Sequence, residues 1–260
     1  VNTSKDYTIS AVQKALKILK LFDENHFEMS LSEISAMTGV GKSSTLRLLY
    51  TLASEGFIEF DEKNKTYSLG LVPLHLSILK KNHLDVRKIA VPYLQEISDT
   101  KDVICYLGIQ REDKVLMIEC VVPRIAPSWA QLMIRPGGMR ELYSTGIGRL
   151  FLSRMPEEEL EEYLNHVQVE QFTDKTVTDK TKLHELIKKA GKEGYSFNDG
   201  ENEPYISSVC APVFDYNKDM VAGISICGIQ ELIDGDRREE LIHDIVRTAG
   251  RISARLGCPA

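Results

Sequence analysis

The chain has no cysteine framework. Its five cysteines, Cys105, Cys120, Cys210, Cys227 and Cys258, are odd in number and none stands in a C-x-x-C pair. That spacing argues against a disulfide scaffold and fits a reducing cytoplasm. The six histidines are scattered, with no H-E-x-x-H and no clustered ligand set, so neither a metal nor a cofactor is called for. No run of about 18 apolar residues occurs, which excludes a conventional membrane-spanning helix, and no secretory leader pattern opens the sequence. Internal repeats and low-complexity tracts are missing as well. Catalytic signatures are equally scarce. No G-x-S-x-G elbow surrounds Ser208, Cys210 or Ser225, and His166, His184 and His243 fall in polar helical stretches. Nucleophilic catalysis needs an activated nucleophile beside an oriented base, and the chain is read as a non-enzyme.

Positive charge is also short. The formal net charge is −6 over 260 residues, and residues 1–70 carry 8 Lys and Arg against 9 Asp and Glu. Such a balance excludes indiscriminate coating of nucleic acid, because nonspecific phosphate attraction scales with the cations supplied. One stretch departs from the average. Between Glu33 and Glu55 there is no acidic residue at all, while Lys42 and Arg47 fall inside it.

That stretch has the physical pattern of a helix-turn-helix. Ser30 and Glu33 have capping-box spacing at the start of a helix holding Ile34 and Met37. Thr38-Gly39-Val40-Gly41 supplies turn chemistry. On the next helix Thr45, Leu48, Leu49 and Leu52 recur at i, i+3, i+4 and i+7 as an apolar face. Lys42, Ser43, Ser44, Arg47, Tyr50 and Thr51 occupy the remaining arc, the composition expected of a helix that enters a DNA major groove. Gly56 closes it, and FIEF-DEKNK-TYSLG reads as two strands around a polar turn, a β-hairpin wing.

Around this centre the chain divides into a DNA-binding domain over 1–70, a linker helix over 71–83, and a larger domain over 84–260. Residues 9–23 form an amphipathic helix with Val12, Ala15, Leu16, Leu19 and Phe22 on one side; Ile18 and Leu21, off that stripe, either widen the core face or pair two chains. The linker helix places Leu74, Ile78 and Leu79 on one side. A helix over 84–98 contains Pro92. VICYLGIQ and KVLMIECVV are strand-like around a turn at 111–113, as are WAQLMI, SSVCAPVFD and MVAGISICG. Helices are expected over 146–153, 157–164, 180–193 and 236–256. The simplest packing is an α+β fold, an antiparallel sheet flanked by helices.

Ser144-Thr145-Gly146-Ile147-Gly148-Arg149 leads from a strand into a helix. Free N–H groups at such a start bind anions; equally, the segment is a plain N-cap with glycines for tight packing.

TGVGKSSTLRLLYTLASEGFIEFDEKNKTYSLG resembles the winged helix of the IclR-type bacterial transcriptional regulators, and SAVQKALKILKLF is similar to their first helix. ELYSTGIGRLFLSRMPEEELEEYL, KAGKEGYSFNDGENEPYISSVCAPVFD, VAGISICG and RISARLG match further segments of that family in order. The resemblance implies a sensor domain akin to GAF and profilin-like folds, operator DNA as partner, a small organic acid as effector, and a homo-oligomer, either a dimer or a dimer of dimers. It also implies effector contacts: backbone N–H groups of Gly146 and Ile147, polar groups of Asn198, Ser208, Ser225 and Cys227, and an apolar wall from Trp129, Leu132 and Ile206. Asn198 replaces the family's usual Asp and Cys227 its usual Ser. Arg140 is either a solvated loop residue or an added anion clamp. The competing functional classes are a small-molecule hydrolase or transferase with an accessory DNA-binding domain, and a constitutive DNA-binding protein whose second domain only oligomerises.

Overall fold

The computed structural model describes residues 8–23, 25–82, 85–125 and 136–259, with the backbone alone at 78, 80–82, 85 and 236. It comprises two compact units, residues 1–82 and 83–260.

In the first unit, α1 (Ser10–Leu19), α2 (Leu31–Thr38) and α3 (Lys42–Ser54) pack around Ile18, Met29, Ile34, Leu49 and Ile58. The capping box forms in full. Ser30 N–H donates to Glu33 Oε2 at 2.7 Å, and Glu33 N–H donates to Ser30 Oγ at 3.3 Å. Gly39 ends α2 in the left-handed conformation at φ 70°. The wing is β2 (Ile58–Asp61) against β3 (Thr66–Leu69), and β1 (Met29–Ser30), a strand too short to show in the pattern, pairs with the far edge of β3. Asp61 accepts from the N–H groups of Lys63 and Asn64 and so folds the wing's turn.

The α1 face is the expected one in part. Ile18 is fully buried and Ala15, Leu19, Leu21 and Phe22 pack against the core, so Ile18 and Leu21 widen the core face, whereas Val12 and Leu16 are exposed together with Ile9. Apolar residues run around most of this helix, so periodicity does not say which arc meets the core; contact with α2 and α3 selects Ile18. Its burial removes Ile18 from any pairing surface and offers Ile9, Val12 and Leu16 instead. Helix α4 (Leu71–Asn82) belongs to the first unit and exposes Leu71, Leu74, Leu76 and Leu79.

The second unit is built on one antiparallel sheet in the order β6-β5-β4-β9-β8-β7, with β4 (Ile104–Arg111), β5 (Lys114–Val121), β6 (Met139–Glu141), β7 (Ser196–Asp199), β8 (Ile206–Phe214) and β9 (Met220–Ile229). Strand β4 runs through Arg111, so the expected three-residue turn tightens to Glu112-Asp113, with Glu112 at φ 55°. The stretch WAQLMI lies outside the described residues. Two-residue alternation gives the sheet two different faces. Cys105, Leu107, Val209, Ala211, Ile224 and Ile226 pack under α5 (Asp85–Lys101), α9 (Gln230–Ile233) and α10 (Asp236–Arg255). Ile104, Tyr106, Met117, Cys210 and Cys227 face the other way, toward α6 (Gly146–Leu152), α7 (Glu157–His166) and α8 (Lys180–Glu193). No described helix is long and apolar enough to cross a membrane.

Candidate functional site

The recognition helix presents the predicted arc. Thr45, Leu49 and Leu52 are buried, while Lys42, Ser43, Ser44, Arg47, Tyr50 and Thr51 are exposed. Thr45 Oγ1 donates to the carbonyls of Val40 and Gly41 at 3.0 and 3.2 Å and locks the turn to the helix. Tyr50 is 77% exposed, a large aromatic surface with no partner in its own unit. Thr51 Oγ1 donates to the Arg47 carbonyl at 3.0 Å, so its hydroxyl is held against the helix and offers an acceptor outward.

In the second unit a cavity of about 420 Å³ opens between the sheet and the start of α6. Gly146, Ile147 and Asn198 line it, and so do Ile206, Ser208, Ser225 and Cys227. Strand register explains the convergence. Asn198, Ser208 and Cys227 are successive partners across β7, β8 and β9, and Cys210, Ser225 and Tyr106 make the next rung across β8, β9 and β4. Trp129 and Leu132 lie outside the described residues. Arg140 does not line the cavity. Its Nη2 lies 3.5 Å from Glu203 Oε1, and Glu203 does line it.

The start of α6 serves two purposes at once. Thr145 caps the helix by accepting from Gly148 N–H at 3.0 Å, leaving the N–H groups of Gly146 and Ile147 without intrahelical partners. The glycines also permit close packing: a Cβ on Gly148 would sit 2.2 Å from the Leu142 carbonyl oxygen, and one on Gly146 would sit 2.5 Å from Cys210 Sγ. Asn198 is more committed than its alignment suggests. Its Nδ2 donates to the Ser144 carbonyl at 2.7 Å and its Oδ1 accepts from Glu201 N–H at 3.2 Å. A carboxylate here would set two acceptors against each other, which gives a physical reason for Asn in this chain. Behind the site Arg149, 1% exposed, forms a bidentate pair with Glu201, one arm at 2.8 Å, and donates through Nε to the Tyr143 carbonyl at 3.1 Å.

Apart from Glu203, which pairs with Arg140, the cavity is lined by uncharged groups. Burial pushes the Cys227 thiol up to about 12 against the opposing pull of its contact with Ser225, and burial also raises Cys210 and Tyr106. Ser208 and Ser225 have only sulfur neighbours, Cys210 at 3.8 Å and Cys227 at 3.5 Å. Among the described residues no cluster of His, Cys, Asp and Glu could hold a metal ion. A second cavity, about 430 Å³, lies at the far end of β8 against α10 and contains none of these groups.

Sequence reasoning missed Tyr106, Met117, Asn202, Glu203, Cys210 and Ile229 as cavity residues. Alternation from Ser208 reaches Cys210, and from Cys227 it reaches Ile229. Tyr106 becomes a neighbour only through the β4–β9 register, which no local pattern specifies.

Known proteins fit this architecture along the whole chain. Residues 11–62 match the IclR helix-turn-helix domain and residues 79–254 match the bacterial transcriptional regulator IclR C-terminal domain. The HTH-type transcriptional regulator KipR of Bacillus subtilis is 30% identical over 246 residues, covering 95% of this chain and 96% of its own. The HTH-type transcriptional regulator XynR of Escherichia coli is 27% identical over 252 residues, covering 97% and 99%. Among solved structures, an IclR transcriptional regulator from Alicyclobacillus acidocaldarius superposes with a TM-score of 0.83 at 26% identity, covering 95% of this chain and 99% of that one. An IclR homolog from Microbacterium hydrocarbonoxydans, complexed with 4-hydroxybenzoate, has a TM-score of 0.78 at 20% identity, covering 95% and 99%. With both domains matched in order over nearly its full length, the chain belongs to the IclR family of bacterial transcriptional regulators.

Proposed function

We propose that this regulator is ligand-responsive and not an enzyme, with a small organic acid as its effector and the cytoplasm as its compartment. The carboxylate sits against the N–H groups of Gly146 and Ile147, which have no partner within the helix, that of Ile147 meeting only the Cys210 sulfur. The hydroxyls of Ser208 and Ser225 contact the rest of the molecule, with Ile206 as apolar wall. Arg140, held near Glu203, contributes positive charge to the rim. The observation that carries this reading is that the effector contacts implied by the family resemblance, apart from Trp129 and Leu132, line one cavity of about 420 Å³, a size suited to a small ligand.

On DNA, Lys42, Ser43, Ser44, Arg47, Tyr50 and Thr51 form the contact face, with Arg47 reading a guanine edge or gripping a phosphate. One near-neutral winged helix is a weak binder, so a homo-oligomer, dimer or dimer of dimers, on an inverted repeat supplies the affinity through effective concentration. The linker over 71–83 joins the two functions. Thermal-shift titration with organic acids tests the sensing half. A ligand at 100 times its Kd adds about 2.7 kcal/mol of stability, and Ser208→Ala should shrink that gain while operator binding without ligand stays intact. No shift with any acid would remove the cavity as an acid sensor.

A further inference from the structure

One hydroxyl in the cavity, that of Tyr106, makes no ordinary hydrogen bond within the fold. Tyr106 is 2% exposed and lines the cavity, and its buried hydroxyl has no hydrogen-bond partner of ordinary geometry, its one polar neighbour being the Cys120 thiol. Its strand partners are Ser225 on β9 and Cys120 on β5. Sulfur is a weak hydrogen-bonding partner, and a buried hydroxyl left this way is destabilising unless something else fills the site.

The other polar side chains inside the cavity are already committed, while Glu203 pairs with Arg140 and Tyr205 is exposed at the mouth. Thr145 caps Gly148, Asn198 bridges Ser144 and Glu201, and Asn202 Nδ2 donates to Ser144 Oγ at 2.8 Å. What remains is a line of three hydroxyls on adjacent strands, Ser208, Ser225 and Tyr106, whose only polar neighbours are thiols. Hydroxyls both donate and accept, so together they suit an uncharged oxygen function better than a second charge. Strands in a sheet are about 4.8 Å apart. Tyr106 on β4 therefore stands about two spacings from Cys210 on β8, the residue against which Gly146 packs.

We propose that Tyr106 is a specificity-determining contact: its hydroxyl donates to a second oxygen function of the effector, so the cavity selects hydroxy- or oxo-carboxylates over plain carboxylates. This rests on the reading of the cavity as a carboxylate site and adds the ligand class. Burial keeps the phenol protonated at physiological pH, which is the form a donor requires.

The test uses the full chain, wild type and Tyr106→Phe, titrated calorimetrically with matched acids: lactate against propionate, and 4-hydroxybenzoate against benzoate. The wild type should bind the oxygenated member of at least one pair about tenfold tighter. Tyr106→Phe should lose that preference and bind the plain acid unchanged. Equal binding within each pair, or a Phe variant that keeps the preference, overturns the role of Tyr106 and leaves the carboxylate reading standing. If no acid of either pair binds the wild type, both fall. The ligand-free protein gives an independent check. Tyr106→Phe should melt at or above the wild-type temperature, because an orphan hydroxyl is removed. A fall of more than about 3 °C would assign the hydroxyl to a structural bond and overturn the proposal.

Discussion

The buried pair of Arg149 and Glu201 ties helix α6 to the segment after β7 that walls the cavity, and its removal should be measurable. Arg149 is 1% exposed and Glu201 6%. Glu201 also accepts from the Thr176 hydroxyl at 2.6 Å through its carbonyl. Glu201→Gln keeps the shape and one acceptor but leaves a guanidinium charge buried without its counterion. Breaking such a pair costs about 3–5 kcal/mol. With a urea dependence of about 2 kcal/mol per molar, the midpoint should fall by about 1.5–2.5 M. Far-UV circular dichroism follows the unfolding. Arg149→Met should be destabilising as well. The double variant Arg149→Met/Glu201→Leu should recover most of the loss, because replacing both charges removes their desolvation penalty. Two single variants that each shift stability by less than about 1 kcal/mol would refute the reasoning, since that is how a solvated pair behaves.

Other outcomes follow from the same geometry. Arg47→Ala should weaken operator binding by about 1–3 kcal/mol if the side chain contacts a base; an unchanged gel-shift affinity would place it outside the interface. Ser30→Ala removes one half of the capping box and should lower the stability of the first unit by about 1 kcal/mol, read by thermal denaturation. Gly148→Ala drives a Cβ into the Leu142 carbonyl and should destabilise the second unit by about 1–3 kcal/mol, whereas a neutral result would show that the backbone there can yield. With its pKa near 12, Cys227 is thiolate to only about one part in ten thousand at pH 8. A disulfide reagent should label it only after unfolding, and fast labelling of the native protein would contradict the burial described for it.

Features set by local chemistry were legible in the sequence. The capping box, the Gly39 turn and helix α8, with Asp179 at its N-cap and Gly194 at its C-cap, follow from neighbours a few residues apart. Strand β7 was not legible, because Ser196 and Asn198 are polar and only pairing with β8 makes the segment a strand. The core face of α1 was legible only in part for a related reason: several arcs are apolar, and tertiary contact chooses Ile18 over Val12 and Leu16. In the cavity, residues within one strand's alternation could be read, but Tyr106 depends on a register more than a hundred residues apart in sequence. The commitment of Asn198 to Ser144 and Glu201 likewise needs the folded loop to be seen.

In the proposed function, occupancy of the sheet–α6 cavity alters DNA affinity. The most direct measurement is the dissociation constant of the full chain for a selected inverted-repeat DNA, with and without a saturating acid found by thermal shift, in the wild type and in Ser208→Ala/Ser225→Ala. Coupling of about 1–3 kcal/mol predicts a change of about 5–150-fold in the wild type, and little or none in the variant, whose ligand-free affinity should match. An acid that occupies the wild-type cavity yet leaves the DNA affinity unchanged would contradict the account.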